Sequence, residues 1–369
     1  MNSLISFIGE LVRKTILAFF ITVSVSTALV FPMLMLIGVS AAAVTKEESK
    51  VLNTTYVYGK DESDNKILAI PITGVIYGDA GMDGDFSDIF GNSANTYGYA
   101  IKKVLREAAD DDSIKAVVLL INSPGGTIYG SQAIADGLMS YKEKTKKPVY
   151  AHVSGLAASG SYWAAVGADK IYADVGSSIG SIGVINGGFM YYNNPIALDG
   201  GLLGEGVTTK DGIESTYITS GKGKDLGNPF RRPTEEELKV MQDGADNNYS
   251  VFVKRVSSRR GIDESEIRNV IGAYIYDNDI AVARKLIDMT GSREFTYGEL
   301  AKVASLGEDY QVVSAHEKRS RLEALLGAVG MHGGTRVSAG DIEKRMQADF
   351  CAPLKPLVYY GDIAKVCTQ

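Results

Sequence analysis

The sequence of 369 residues predicts an α/β domain built on a parallel sheet, carried behind one membrane-spanning helix. Three observations predict it. Apolar runs of strand length alternate with helical patterns between residues 67 and 290. One of them, IKAVVLLI at 114–121, is apolar almost throughout, as strands covered on both faces are. Residues 16–44 carry no charged side chain, and crossing a bilayer needs about 20 apolar residues.

Arg13 and Lys14 stand just before that uncharged stretch, and Lys46, Glu47 and Glu48 just after it. A cleaved signal peptide is the alternative, with Ala41-Ala42-Ala43 as its small-residue site. Signal-peptide apolar cores run only about 7–15 residues, so an uncleaved anchor is the expectation. The flanking Lys and Arg are similar in number. The expected orientation is residues 1–15 in the cytoplasm and the bulk of the chain outside it. Residues 45–66 are polar and mixed in charge, and read as a linker.

The soluble elements follow in order. Residues 67–76, ILAIPITGVI, read as a strand, with Pro71 suggesting an edge or a strand start. Residues 95–110 read as a helix with Ile101, Val104, Leu105 and Ala108 on one face. The strand at 114–121 stops at a turn cluster, Asn122-Ser123-Pro124-Gly125-Gly126, and a helix follows over about 129–145. PVYAHV at 148–153 is a strand that leads into SGLAASGSYWAAVGA, which turns from strand into helix. KIYAD is a further strand, and GSSIGSIGVI a Gly-rich turn entering one more. Thr234 with Glu237 forms a capping box just after Pro233. Leu238, Met241, Ala245, Phe252 and Val256 supply the apolar stripe of the helix it opens.

Composition excludes some functions. The net charge is −6 and no basic block stands out, which argues against a nucleic-acid partner. The two cysteines, Cys351 and Cys367, have no zinc-site spacing, so no metal is expected. They either close a disulfide in an oxidising compartment or remain free thiols.

Two strand-to-helix turns can carry chemistry. At Asn122–Gly126, consecutive glycines let backbone N–H groups point into open space, a nest that attracts an oxyanion. A purely structural turn reads the same way. At Gly155–Gly160, Ser159 stands at a helix start, where serine serves as a cap or as a nucleophile. In the second case the Gly160 N–H would act as an oxyanion donor beside that of Gly126. A serine nucleophile needs a base. Of three histidines, His316 and His332 lie in the tail and His152 reads as a core residue on an apolar strand. No G-x-S-x-G elbow surrounds Ser159. Lysine remains, although an ordinary lysine is a poor base at neutral pH and must be desolvated to serve. Lys222 and Lys224 in TYITSGKGKD are both candidates, and both also read as solvated loop residues.

IPITGVI, INSPGG, GLAASGSYWAA, GSIGVI and SGKGKDLGNPFR, in that order across 67–290, resemble the signal peptide peptidase A family, serine peptidase family S49. The resemblance implies a Clp protease/crotonase-like fold. It implies Ser159 as nucleophile, Lys224 as base, Gly126 and Gly160 as oxyanion donors, and Ser181 as a hydroxyl partner of the lysine. It implies an acyl-enzyme mechanism with no cofactor, and cleavage of residual signal peptides or other membrane-associated peptides at the cell (inner) membrane. The half-length form implies a homo-oligomeric ring in which neighbouring protomers donate Ser and Lys. The expected division is 1–15 cytoplasmic, 16–44 anchor, 45–66 linker, 67–299 peptidase domain and 300–369 an appendage of unknown role.

Three departures from the family pattern stand out. ASGSYW replaces the usual ASGGYY, through Ser161 and Trp163; residues 187–212 form a longer Gly-rich stretch; and Lys285 stands where Gly is usual. Three other readings compete: a crotonase-type acyl-CoA enzyme, a catalytically degenerate membrane scaffold, and a capsid-maturation-type peptidase. The Ser159 and Lys224 segments have no purpose in the first two, and the long apolar anchor argues against the third.

Overall fold

The computed structural model describes residues 10–21, 24, 28, 52–79, 95–187, 189, 191, 216–315 and 356–359. Two compact units result, Met1–Lys50 and Val51–Gln369. In the first, residues 10–21 are helical, with Leu11, Ile16, Leu17, Phe19 and Phe20 exposed. Among the described residues no helix is long and apolar enough to cross a membrane. Most of the expected anchor, 16–44, lies outside the described residues, as do Cys351 and Cys367.

The second unit holds the sheet. Its strands are β1 (Thr54–Gly59), β2 (Lys66–Tyr77), β3 (Thr96–Tyr97), β4 (Ile114–Thr127), β5 (Val149–Ala158) and β6 (Lys170–Ala173). They continue with β7 (Ser178–Gly180), β8 (Ile185–Asn186), β9 (Ile275–Tyr276), β10 (Met289–Thr290), β11 (Gln311–Ala315) and β12 (Pro356–Tyr359). The helices are α1 (Gly98–Ala108), α2 (Ile128–Thr145), α3 (Gly160–Ala165), α4 (Glu235–Arg260), α5 (Asn278–Ala283) and α6 (Arg293–Val303). The main path runs β1-β11-β2-β4-β5-β6-β10. It is parallel from β11 to β10, and β1 joins antiparallel at one end. This is the α/β sheet that the alternating pattern predicts.

Period-two alternation divides the strands between two cores. On β5, Val149, Ala151 and Val153 face the larger core, shared with α1, α2, α3 and α4. Tyr150 faces the smaller one, with Tyr172, Tyr297 and Leu300. Helix α1 buries Ile101, Val104, Leu105 and Ala108 as its spacing predicts. Each of the larger three contributes roughly 2 kcal/mol of apolar burial. The capping box of α4 is formed: Thr234 N donates to Glu237 Oε2 at 2.8 Å, and Glu237 N to Thr234 Oγ1 at 3.2 Å. The stripe of α4 is shorter than expected. Phe252 and Val256 are buried with Val253, but Leu238 is 47% exposed. The first half of the helix has no core beneath that residue.

Three local readings change. Pro71 sits inside β2, not at its start, yet β11 pairs only with Lys66–Ala69. At Pro71, β2 is therefore flanked by β4 alone, where a missing N–H can face away from the ladder. Asn122–Gly126 is not a free turn. Strand β4 continues through it to Thr127, with an irregular register at Ile121/Ser123 and at Thr73/Val75. Its polar and glycine residues stay extended because β2 still pairs with Gly125 and Gly126. The sheet also reaches beyond residues 67–299. Strand β1 falls in the stretch read as linker and β11 in the stretch read as appendage. Residues 55–59 of β1 are exposed, Tyr56, Val57 and Tyr58 among them.

Candidate active site

Strand β5 ends at Ala158 and α3 begins at Gly160, so Ser159 forms the whole of a sharp strand-to-helix turn. Its backbone adopts φ +56° and ψ −116°, a conformation that costs a non-glycine residue about 1–3 kcal/mol. One bond across the sheet and the first bond of α3 hold it there. Ser159 N donates to Gly180 O at 2.9 Å, and Trp163 N donates to Ser159 O at 2.8 Å. Ser159 occupies the N-cap position, but its side chain makes no cap bond. The hydroxyl is buried and has no hydrogen-bond partner among the described residues. A buried polar group without a partner costs about 1–3 kcal/mol, so the cap alternative fails and a functional one gains.

Helix α3 is fixed on several sides. All six of its residues are buried. Tyr162 donates to Leu286 O at 2.8 Å, and Trp163 Nε1 to Gln132 Oε1 at 3.0 Å. Arg255 of α4 lies over the Trp163 ring and donates to Trp163 O at 3.3 Å. Burial lowers the Arg255 guanidinium to about 10, still charged at neutral pH. Trp163, a departure from the family motif, thus joins the Ser159 turn to α4.

Gly126 lies opposite Ile76 of β2 and Val358 of β12. A Cβ there would stand 2.1 Å from Ile76 O, so only glycine fits between the strands. Gly160, first in α3, has no carbonyl four residues back in its own helix to bond. Ser181 follows Gly180, the residue that receives the Ser159 amide. It has φ +53° and is nearly buried, and its N donates to Tyr274 O at 2.8 Å. Ser159 and Ser181 are therefore brought to the same sheet end.

Lys224 is not brought to them. It is exposed in a turn whose N–H donates to Gly221 O at 3.2 Å. No hydrogen bond or ion pair joins it to Ser159 or Ser181 among the described residues. Lys222 is engaged elsewhere, with Glu236 at 2.7 Å. The neighbouring Asp225 is clamped by Arg231 at 2.7 and 2.8 Å, and Arg231 also grips Glu237 at 2.7 and 2.9 Å. Arg231 holds the Asp225 carboxyl below its ordinary range and the Glu237 carboxyl down at about 2. The lysine segment is thereby tied to the start of α4.

His152 is a core residue, as its strand position suggests. It is fully buried, with Nδ1 2.7 Å from Thr296 Oγ1 and Nε2 3.3 Å from Asp174 Oδ1. Seven residues of strand separate it from Ser159, roughly 20 Å. Strand β12 is a further element that the sequence did not announce. It pairs antiparallel with Gly125–Thr127 on one side and Ile185–Asn186 on the other. The run PLVYY is its one sequence signal.

Residues 141–307 match the model of peptidase family S49, and residues 90–173 match that of Clp protease. The second match agrees with the parallel α/β sheet described above. A protein of Enterococcus faecium named as signal peptide peptidase SppA is 29% identical, over 89% of this chain and 96% of its own length. A protein of Methanocaldococcus jannaschii named as a protease is 34% identical, over 55% of this chain and 60% of its own. A protein of Synechocystis sp., also named as a protease, is 30% identical, over 57% of this chain and 70% of its own. The chain is a peptidase with a Clp protease-like fold and belongs to peptidase family S49.

Proposed function

We propose that the chain is a membrane-anchored serine endopeptidase that hydrolyses residual signal peptides or other membrane-associated peptides, with Ser159 as nucleophile and Lys224 as base. The observation that carries this reading is the buried, unpartnered Ser159 hydroxyl on a strained strand-to-helix turn. Strain and an unsatisfied hydroxyl together are retained at functional sites and removed elsewhere.

In the proposed reaction an extended peptide lies beside the end of β4. The Ser159 Oγ bonds to the scissile carbonyl carbon while its proton passes to Lys224 Nζ. The carbonyl π electrons move to oxygen, where the N–H groups of Gly126 and Gly160 receive the charge. The C–N bond then breaks, and Lys224 returns its proton to the leaving amine. Water attacks the ester, Lys224 takes a proton from it, and the Ser159 hydroxyl is regenerated. Ser181 would orient the lysine amine.

A lysine base needs desolvation, and Lys224 is exposed on a single chain. A homo-oligomeric ring that covers Lys224 with a neighbouring protomer meets that need and shares the dyad between chains. Lys222 is the weaker candidate because its amine is already engaged by Glu236 at 2.7 Å. Residues 16–44 would anchor the ring, with the catalytic domain outside the cytoplasm.

The deciding experiment is hydrolysis of a synthetic signal peptide by wild type, Ser159→Ala, Lys224→Ala and Lys222→Ala. Loss in the first two variants alone is expected. Wild-type turnover by either of those two would overturn the dyad. Release of the protein from membranes by alkaline carbonate would overturn the anchor.

A further inference from the structure

Two buried serines outside the proposed dyad link the two oxyanion-donor turns. Ser161, two residues after Ser159, is fully buried. Its hydroxyl lies 2.7 Å from Ser123 O and 2.8 Å from Ala158 O, and its one hydrogen is donated to either. Ser123 lies on β4, three residues before Gly126, and is also fully buried. Its hydroxyl donates to Gly74 O at 2.6 Å and accepts from Gly125 N at 3.1 Å. Through Ser123, whose carbonyl meets Ser161 and whose hydroxyl meets Gly125 N, the turn holding Gly160 is therefore tied to the residue before Gly126.

The sheet does not supply this link itself. The ladder between β4 and β5 becomes irregular after Ile121 and ends at Ser123 opposite Ala157. On the other side, β2 and β4 shift register between Thr73 and Val75. Beyond Ser123, β4 has no partner on β5, so the spacing between Gly126 and Gly160 is not set by strand pairing. Past that point the Ser161 hydroxyl bonds the Ser159–Gly160 turn to β4 at Ser123. An oxyanion hole needs its donors held within about 0.5 Å of their working positions.

We propose that Ser161 and Ser123 are positioning residues that fix the Gly126 and Gly160 N–H groups relative to each other. This rests on the Ser159 reading and extends it. Neither serine touches the reacting atoms. Their effect falls on the charged tetrahedral state and not on ground-state peptide binding.

The test compares full-length wild type with Ser161→Ala, Ser123→Ala and Ser161→Thr, and with Ser159→Ala as reference. Steady-state kinetics on a synthetic signal peptide are paired with inhibition by a peptide aldehyde, whose carbonyl the Ser159 hydroxyl adds to as a hemiacetal. The expected result for Ser161→Ala is a kcat lowered about tenfold with KM within twofold. Aldehyde affinity should fall by a similar factor, and Ser161→Thr should recover most of the kcat. Ser123→Ala should behave like Ser161→Ala, and the double variant should lose less than the product of the two. A kcat within twofold of wild type in both alanine variants would overturn the proposal. So would a loss of kcat that leaves aldehyde affinity unchanged. If one alanine variant fails to fold, the other carries the same comparison. An active Ser159→Ala would instead defeat the nucleophile assignment, a distinct outcome.

Discussion

The backbone N–H of Ser159 donates to the carbonyl of Gly180 at 2.9 Å, and this bond locks the turn of the proposed nucleophile to the strand that delivers Ser181. Adjacent parallel strands, β5 and β7, thus end together in two serines with positive φ, +56° and +53°. Neither conformation is intrinsic to serine, so the surrounding sheet holds both.

Ser159 should therefore trade stability for activity. Ser159→Gly removes the strain and the unpartnered hydroxyl, about 1–3 kcal/mol each, and adds roughly 1 kcal/mol of chain entropy loss. The expected net gain is about 1–5 kcal/mol in urea denaturation, with peptidase activity abolished. Ser159→Ala keeps the strained φ and should gain less. Destabilisation by the glycine variant would mean that the Ser159 side chain is a structural element.

Lys224→Ala should lower kcat by about 10²–10⁴, the usual contribution of a general base, while Lys222→Ala should stay within a few-fold of wild type. If neighbouring protomers share the dyad, co-refolding inactive Ser159→Ala with inactive Lys224→Ala should restore activity, since mixed rings contain intact Ser–Lys pairs. No recovery after demonstrated subunit exchange would place both groups on one chain.

His152 gives the fold a pH dependence separate from catalysis. Burial is the main cause holding the imidazole below its ordinary 6.5, and Asp174 opposes it in part. The folded state favours the neutral ring, while the unfolded ring takes a proton near the ordinary value. This contribution is fully present above about pH 6.5 and is lost as pH falls through the lowered folded value. Melting temperature should therefore drop as pH falls below about 6.5. His152→Gln, although less stable at neutral pH, should flatten that slope. An equal slope in both proteins would assign the acid sensitivity elsewhere.

Much of the scaffold was legible because it depends on local periodicity. Ile101, Val104, Leu105 and Ala108 marked the buried face of α1, and Thr234 with Glu237 marked the start of α4. The site was legible only in part. Ser159 reads as a helix cap because its residue type suits one; that its hydroxyl bonds nothing goes with its backbone conformation, which is held in part by Gly180 from another strand. Ser123 looked like one member of a turn. Its extended pairing and its bond to Ser161 arise from strands brought together across 38 residues of sequence. Strands β1 and β11 carry Tyr-Val-Tyr and Val-Val, but their pairing was not legible because each finds its partner about 250 residues away, a separation that no local pattern encodes.

Strand β12 leads to the last prediction. Pro356–Tyr359 lies antiparallel between the end of β4 and β8, with Val358 opposite Gly126. An extended peptide reaching the Gly126 N–H would need the backbone groups that β12 now engages. The chain's own segment and a substrate therefore compete for one slot. Intramolecular tethering makes the segment a competitor whose local concentration does not depend on that of the protein. Ending the chain at residue 355 should lower KM for a synthetic signal peptide several-fold and leave kcat near its full-length value. A synthetic peptide spanning residues 354–360 should inhibit the shortened enzyme competitively, and Val358→Pro in the full chain should reproduce part of the KM effect by removing a strand N–H. An unchanged KM after truncation would mean that substrate enters along a different strand edge from the one β12 occupies.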